Sequence, residues 1–248
     1  VSDLRLVSYN IRHGGRGREE VLARVIASCS PDVVMLQEAR DARVVERLAS
    51  ATGMAQWATF HRQSLGFLSR RPVAHYQWHK PRVSRHAFLE VVPDGAQVRI
   101  FGVHLSAVHA AWTERRRGLE VRALLAGVRA HQHGLHVLTG DFNTLAPGEL
   151  LDLTRLPLRL RPFVWLSGGR IRWRAVRQVL DAGYADMFRR LQPTDAGFTF
   201  PTWDPHLRLD YVFVPSGFAD RVSRCEVVRG DDAREASDHF PVVADIRV

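Results

Sequence analysis

Lysine is almost absent from this chain. Of its 35 basic residues, Lys80 is the only lysine and the rest are arginine. Such a bias is what coding from a GC-rich genome leaves behind. It is equally what a surface built to meet phosphate polymers or anionic membranes would carry. The net charge of +9 (35 basic minus 26 acidic) fits both origins. Cysteine is also scarce: Cys29 and Cys225 stand alone, without CxxC spacing. Two buried thiols are expected in preference to a disulfide or a metal site, and the pair carries little further information. No apolar run approaches the roughly 18 residues that would span a bilayer. No signal peptide is visible either, though a removed one would leave the same appearance, so both a cytoplasmic and a secreted location remain open. Linkers, low-complexity tracts and short repeats are missing, and the expectation is one domain over residues 1–248, acting as a monomer.

With 46% hydrophobic residues over 248 positions, the chain can bury one large core. Leu4 to Tyr9 alternates as a strand does, and Val33 to Leu36 is a continuous apolar run, the mark of a strand buried on both faces. Further strands are predicted at Leu65 to Leu68, Ala87 to Val92, Val98 to His104, His136 to Leu138, Leu209 to Val214, Cys225 to Arg229 and Val242 to Ile246. Pro93-Asp94-Gly95 reads as the turn of a hairpin. Helical periods cover Glu19 to Ser28, Val44 to Thr52, Glu114 to His131 and Trp173 to Ala182, the second ended by Gly53 and the last by Gly183. Within the third, Arg115, Arg116 and Arg117 read as a solvated face. Strand–helix–strand alternation occurs in both halves with hairpins between, which predicts an α/β fold of two packed sheets with helices outside.

Each strong polar cluster falls at the end of a predicted buried strand. Asn10 follows LRLVSY and Glu38 follows VVMLQ. His104 follows VRIFGV, and Asp141 and Asn143 follow HVLTG. Asp210 heads YVFV, and Asp238-His239 precede FPVV. Strand ends of a layered domain converge on one rim, where polar groups escape the core and share a site. A carboxylate and an amide are hard oxygen ligands suited to Mg²⁺ or Mn²⁺. An aspartate can activate water, an asparagine can donate to a phosphoryl oxygen, and a histidine paired with a carboxylate can hold its proton. Singly, each has a plainer explanation. Asn10 and Asp141-Phe142-Asn143 are turn-formers, His104 is a core histidine, and Asp238-His239 is a loop. Their joint occurrence at strand ends favours metal-assisted phosphoryl chemistry.

The segments SYNIR, LQEA, GVHL, TGDFN, RLDYVF and SDHFPVV, running from Leu4 to Ile246, resemble the ordered motifs of the endonuclease/exonuclease/phosphatase superfamily. The resemblance implies a four-layer αββα sandwich. It also implies that Asn10 and Glu38 hold the metal, with Asp238 contributing. Asp141 would orient and activate water, and Asn143 would contact a phosphoryl oxygen. Asp210 would fix His239, which would bind the transition-state phosphoryl group. His104 would sit at the leaving-group oxygen and act as its acid. The histidine of VHL differs from the tyrosine-containing motif of abasic-site enzymes in this superfamily. The deoxyribonuclease branch places a glutamate partner for that histidine just before the third strand. His61-Arg62-Gln63-Ser64 has no acid there, and Glu90 is the weak substitute.

Residues 153–180 hold seven arginines, no acid, and Phe163, Trp165 and Trp173. A basic loop with interleaved aromatics can clamp a nucleic-acid backbone or lie on an anionic membrane; it can equally pack its apolar residues and leave the arginines to solvent. Arg12, Arg40, Arg170, Arg172 and Trp173 are the candidate substrate contacts, with His13 and His109 as rim residues. Three functions follow in order. The first is a Mg²⁺- or Mn²⁺-dependent phosphodiesterase acting on nucleic acid, DNA foremost. The second is the same chemistry on a phospholipid or small phosphoester, with a peripheral membrane contact. The third is a binding module that kept the fold and lost catalysis.

Overall fold

The computed structural model describes residues 3–60, 63–107, 110–131, 133–155, 158, 161–166 and 173–248. The chain begins β1 (Asp3–Asn10), α1 (Glu19–Ser28), β2 (Val33–Gln37), α2 (Ala42–Thr52), β3 (Gln56–Thr59), β4 (Leu65–Ser69). It continues β5 (Val73–His79), β6 (Phe88–Pro93), β7 (Arg99–His104), α3 (Ala111–Val128), β8 (His136–Asp141), α4 (Arg161–Leu166), α5 (Ala175–Asp181), β9 (Tyr184–Asp186), α6 (Met187–Leu191) and β10 (Asp210–Pro215). It closes with β11 (Val222–Val227), α7 (Asp231–Ala236) and β12 (Val242–Arg247).

Two six-stranded mixed sheets result, ordered β11-β12-β1-β2-β4-β3 and β5-β6-β7-β8-β10-β9. Each is built the same way. A parallel pair joined by a crossover helix, β1–β2 through α1 and β7–β8 through α3, lies between antiparallel neighbours. The sheets face each other, with α1, α2 and α7 beside the first and α3 and α5 against the second, so the αββα layering is as the sequence implied.

Side-chain alternation explains how the layers hold. On β7, Phe101 and Val103 join Val121 and Leu124 of α3, while Ile100 enters the cluster between the sheets. Val137 of β8 and Val212 of β10 point the same way as Ile100, and Leu138, Tyr211 and Phe213 point to the helices. Gly102 lets the sheets approach, since a Cβ there would lie 2.5 Å from the Met35 methyl. Asp41 caps α2 through the Arg43 amide at 3.1 Å, and Gly53 ends it at φ 65°. Cys29 and Cys225 are buried free thiols. Among the described residues no helix is long and apolar enough to cross a membrane.

The differences from expectation have causes. β3, β5 and β9 were not legible, and all three are edge strands. An edge strand is paired on one side only, and β5 leaves most of its residues exposed, so its hydrophobic pattern is weak. The third helix starts earlier than Glu114 and passes into a 3₁₀ turn over Arg129–His131. The one predicted from Trp173 begins at Ala175. Arg115 and Arg116 are exposed, but Arg117 is fully buried. It lies on the inner face with Glu114, Val121 and Leu124, bonds Glu114 at 2.9 Å and donates to the Ser106 carbonyl at 2.7 Å.

Candidate active site

The pairing registers of the second sheet assemble the site's floor. His104 ends β7 directly opposite Asp141 of β8, and Asp141 stands opposite Asp210 of β10. The three side chains share one row and one face, the face turned to the other sheet. Gly140 makes this row fit: its φ is 141°, and a Cβ would lie 2.0 Å from the Val103 carbonyl oxygen.

Asn10 ends β1 in the facing sheet, and its amide donates to Asp141 Oδ2 at 3.1 Å. Asn143 donates its backbone N–H to Asp141 Oδ1 at 2.8 Å and its amide to Oδ2 at 3.0 Å. Its amide also donates to the Leu105 carbonyl at 3.2 Å, so one amide hydrogen holds Asp141 and the other anchors the side chain to the end of β7. Burial pushes the Asp141 carboxyl up from the usual range, with His239 pulling the other way. His239 places Nδ1 2.8 Å from Asp210 Oδ2 and Nε2 3.8 Å from Asp141 Oδ2. Burial alone would lower its pKa, but the Asp210 and Asp141 carboxylates outweigh it and push it up to about 10. The two carboxylates thus favour the protonated ring, with Nε2 turned towards Asp141.

His104 is the opposite case. Burial, His86 stacked on it at 4.8 Å, and the nearby cations hold it well below the usual histidine range. Its partner on Nδ1 is Ser64, not an acid. The Ser64 hydroxyl accepts the Glu38 backbone N–H at 3.3 Å and pairs with His104 Nδ1, while His104 Nε2 lies 3.7 Å from Asp141. Glu90, the substitute suggested by sequence, is bound to His79 at 2.8 Å and to Arg99. Strand parity forbids the other role. Leu89 and Val91 face the inter-sheet core, so Glu90 lies on the helix side of the sheet, away from His104.

Glu38 and Asn10 are tied together by one tight turn. The backbone N–H groups of Arg12 and His13 donate to Asn10 Oδ1 at 3.0 Å and Glu38 Oε2 at 2.5 Å. Two adjacent donors thus set two hard oxygens side by side. The geometry is strained: Arg12, His13, Glu38 and Asn143 all take φ between 49° and 59°, where non-glycine residues seldom sit. Among the described residues, four of the five such conformations line this rim; Ser30 is the fifth. Asp238 adds a half-buried carboxylate 3.5 Å from Arg12, and the Ser237 hydroxyl ties the end of α7 to the Asn10 carbonyl at 2.6 Å.

A family model for the endonuclease/exonuclease/phosphatase family matches residues 7–239. The chain belongs to this family. It is accordingly a hydrolase of the metal-dependent phosphoesterase class. A comparison with curated protein sequences found no match. Among solved structures, the family fold is shared with an AP endonuclease from Archaeoglobus fulgidus at TM-score 0.76 and 16% identity, covering 99% of this chain and 100% of that one. A 3'-5' exonuclease from Neisseria meningitidis superposes at TM-score 0.74 and 21% identity, covering 99% and 100%. A truncated TDP2 from Caenorhabditis elegans does so at 0.67 and 17%, covering 98% and 97%.

The structure brings Asn10, Glu38, His104, Asp141, Asn143, Asp210, Asp238 and His239 to one rim. Arg12 lies there too, and exposed Arg40 is close enough for its charge to lower His104. Trp173 is half-buried and packs on the Leu145, Leu207 and Leu209 cluster beside the site. Arg170, Arg172, His109, His61 and Arg62 lie outside the described residues. His13 contributes its backbone while its side chain is exposed. Sequence reasoning passed over Ser64, His86, Phe200 and Trp203. Ser64 carried one signal, its place directly before a buried strand.

Proposed function

We propose that the protein is a Mg²⁺- or Mn²⁺-dependent nuclease that hydrolyses phosphodiester bonds of nucleic acid, with DNA the foremost substrate. The observation that carries this reading is the aligned row His104–Asp141–Asp210 with the His239 imidazolium above it. A general base, a cationic donor and a neutral donor converge within one phosphoryl group's reach.

The residues fit a divalent ion. Asn10 Oδ1 and Glu38 Oε2 are hard donors oriented by backbone amides, Asp238 stands on the same rim, and among the described residues no arginine pairs with Glu38. These three would hold it. Asp141, Asp210 and His239 also place donor atoms within 4.8 Å of one another. Asp210 Oδ2 and His239 Nδ1 already pair at 2.8 Å, however, which favours their use as a proton-holding pair. Neutralisation of phosphate charge is the chemistry a bound ion supplies.

In this reading Asp141 accepts a proton from the attacking water, held in place by Asn10 and Asn143. His239 donates from Nε2 to a non-bridging phosphoryl oxygen. His104, kept neutral, offers a hydrogen bond to the leaving oxygen rather than a proton, and that oxygen takes its proton from solvent. The Asn143 amide acts on Asp141 rather than directly on the phosphoryl group. Supercoiled plasmid with Mg²⁺ or Mn²⁺ is the test. Nicking that stops with chelator, and falls by about a hundredfold or more in Asp141→Asn and His239→Ala at unchanged circular dichroism, is the expected result. Intact plasmid, or undiminished nicking in either variant, refutes it.

A second reading has its own observation. Leu158, Trp165 and Leu166 are 66–76% exposed in the arginine-rich region, and Leu150 just before it is 87% exposed. Such side chains beside cations suit an anionic lipid surface, and hydrolysis of a phospholipid would follow from the same site.

A further inference from the structure

Trp203 is an exposed aromatic linked to His239 through Phe200, and neither the core nor the proposed chemistry accounts for it. It is 66% exposed. Exposed tryptophans usually sit on yielding loops, but this one does not. The Thr202 backbone donates to the Asp238 carbonyl at 3.0 Å, and the Thr202 hydroxyl donates to the Ser237 carbonyl at 2.7 Å. The Asp204 amide closes a turn onto the Pro201 carbonyl at 3.1 Å. Phe200, paired with Leu207 in an isolated bridge, lies on His239 at 4.8 Å and meets the Trp203 ring edge-on at 6.3 Å. A continuous aromatic surface thus runs from the catalytic imidazolium to solvent, on backbone pinned to the segment that carries Asp238 and His239.

A cation completes it. The Arg12 guanidinium lies 5.9 Å from the Trp203 ring centre and 3.5 Å from Asp238. Its backbone is fixed by the donation to Asn10. A pinned π ring with a cation over one face, joined through Phe200 to His239, matches a planar π ligand that itself carries a phosphate.

We propose that Trp203, with Arg12, forms a stacking subsite for an unpaired nucleobase flanking the scissile phosphate, so that single-stranded or frayed nucleic acid is the preferred substrate. The inference rests on the nuclease reading and narrows it. Within a duplex each base is already stacked on its neighbours, and Trp203 has nothing to offer it. An unpaired base gains a partner for one face, and Arg12 meets the adjoining phosphate. Phe200 supports the tryptophan and sets its distance from His239.

Binding of short fluorescent oligonucleotides to the Asp141→Asn protein with Mg²⁺ separates this from the cleavage reading. One strand carries every base, and a second has a base-less tetrahydrofuran residue at each position around the bond the native protein cuts. The expected result is that Trp203→Ala weakens binding of the first strand about tenfold, that Trp203→Phe stays within about threefold of the parent, and that the base-less strand binds weakly whichever residue is present. Equal effects of Trp203→Ala on both strands, or none on either, overturn the proposal. So does a loss of binding to anionic phospholipid vesicles with strand binding intact, which assigns the tryptophan to a membrane. Native protein that cleaves no oligonucleotide while Trp203-dependent binding persists refutes the nuclease reading and leaves the subsite standing.

Discussion

His239 shows most directly how a single residue's environment sets its chemistry. Its folded pKa of about 10 lies above the ordinary histidine value, so it binds a proton more tightly in the folded state. The stability it contributes is complete below the ordinary value near 6.5 and is lost as pH rises through about 10. Asp210 is the main source of that elevation. Asp210→Asn is expected to move the alkaline limb of the pH–rate profile from near 10 down towards neutrality, and to lower the melting temperature at pH 7 more than at pH 10.5. A profile with its alkaline limb unmoved refutes the pairing as the source of the charge. His104, two strands away on the same row, is held neutral by burial and nearby cations. Two histidines within one site are thereby assigned opposite protonation states by their neighbours alone. The charged state of His239 was implied by the family motifs that pair it with Asp210, whereas the neutral state of His104 was not legible, because its neighbours come from distant segments.

At the scale of elements, the site depends on register and on two buried contacts. Gly140→Ala would force a Cβ into the Val103 carbonyl at a backbone angle that L side chains avoid. We expect a loss of about 3 kcal/mol in denaturant unfolding, with turnover falling because His104 and Asp141 no longer align. A variant with unaltered midpoint and rate contradicts this. Glu114 on α3 is the second contact. It accepts from Thr144 at 2.9 Å, from Arg117, and from the backbone amides of Arg174 and Ala175 at 2.6 and 2.8 Å. One carboxylate therefore anchors the start of α5, where the arginine-rich stretch returns to the core, to the loop carrying Asn143. Glu114→Ala leaves Arg117 buried without that charge partner and should destabilise by about 3 kcal/mol. Amide hydrogen exchange at residues 174 and 175 should accelerate in that variant; unchanged protection there would show that the anchor is unimportant. The central strands and the crossover helices were readable because each buries a face and repeats at its own period. The edge strands β3, β5 and β9 and Arg117 were not, since partial exposure hides the former and the latter's burial depends on a partner that charge patterning does not reveal.

For the whole molecule, charge is the decisive quantity. With a net +9, binding to a nucleic-acid backbone should release counterions and weaken steeply with salt. We expect affinity for plasmid to fall by about a thousandfold between 50 and 200 mM salt, as for roughly six phosphate contacts, while hydrolysis of a small phosphodiester changes little. A flat salt dependence on plasmid would return the arginines to coding bias.

The sequence by itself determined the layered α/β class, the family, and the identity of the polar residues at the strand ends. Those properties follow from local periodicity and from motifs whose order along the chain is intact, SYNIR through SDHFPVV. Only the tertiary structure decided that Ser64 rather than Glu90 faces His104, that Asn143 spends its amide on Asp141, and that Trp203 stands rigidly beside Arg12. Each of these is set by which face of a strand a residue occupies and by which distant strand lies opposite. Parity and register are properties of pairing between segments, and no segment carries them alone.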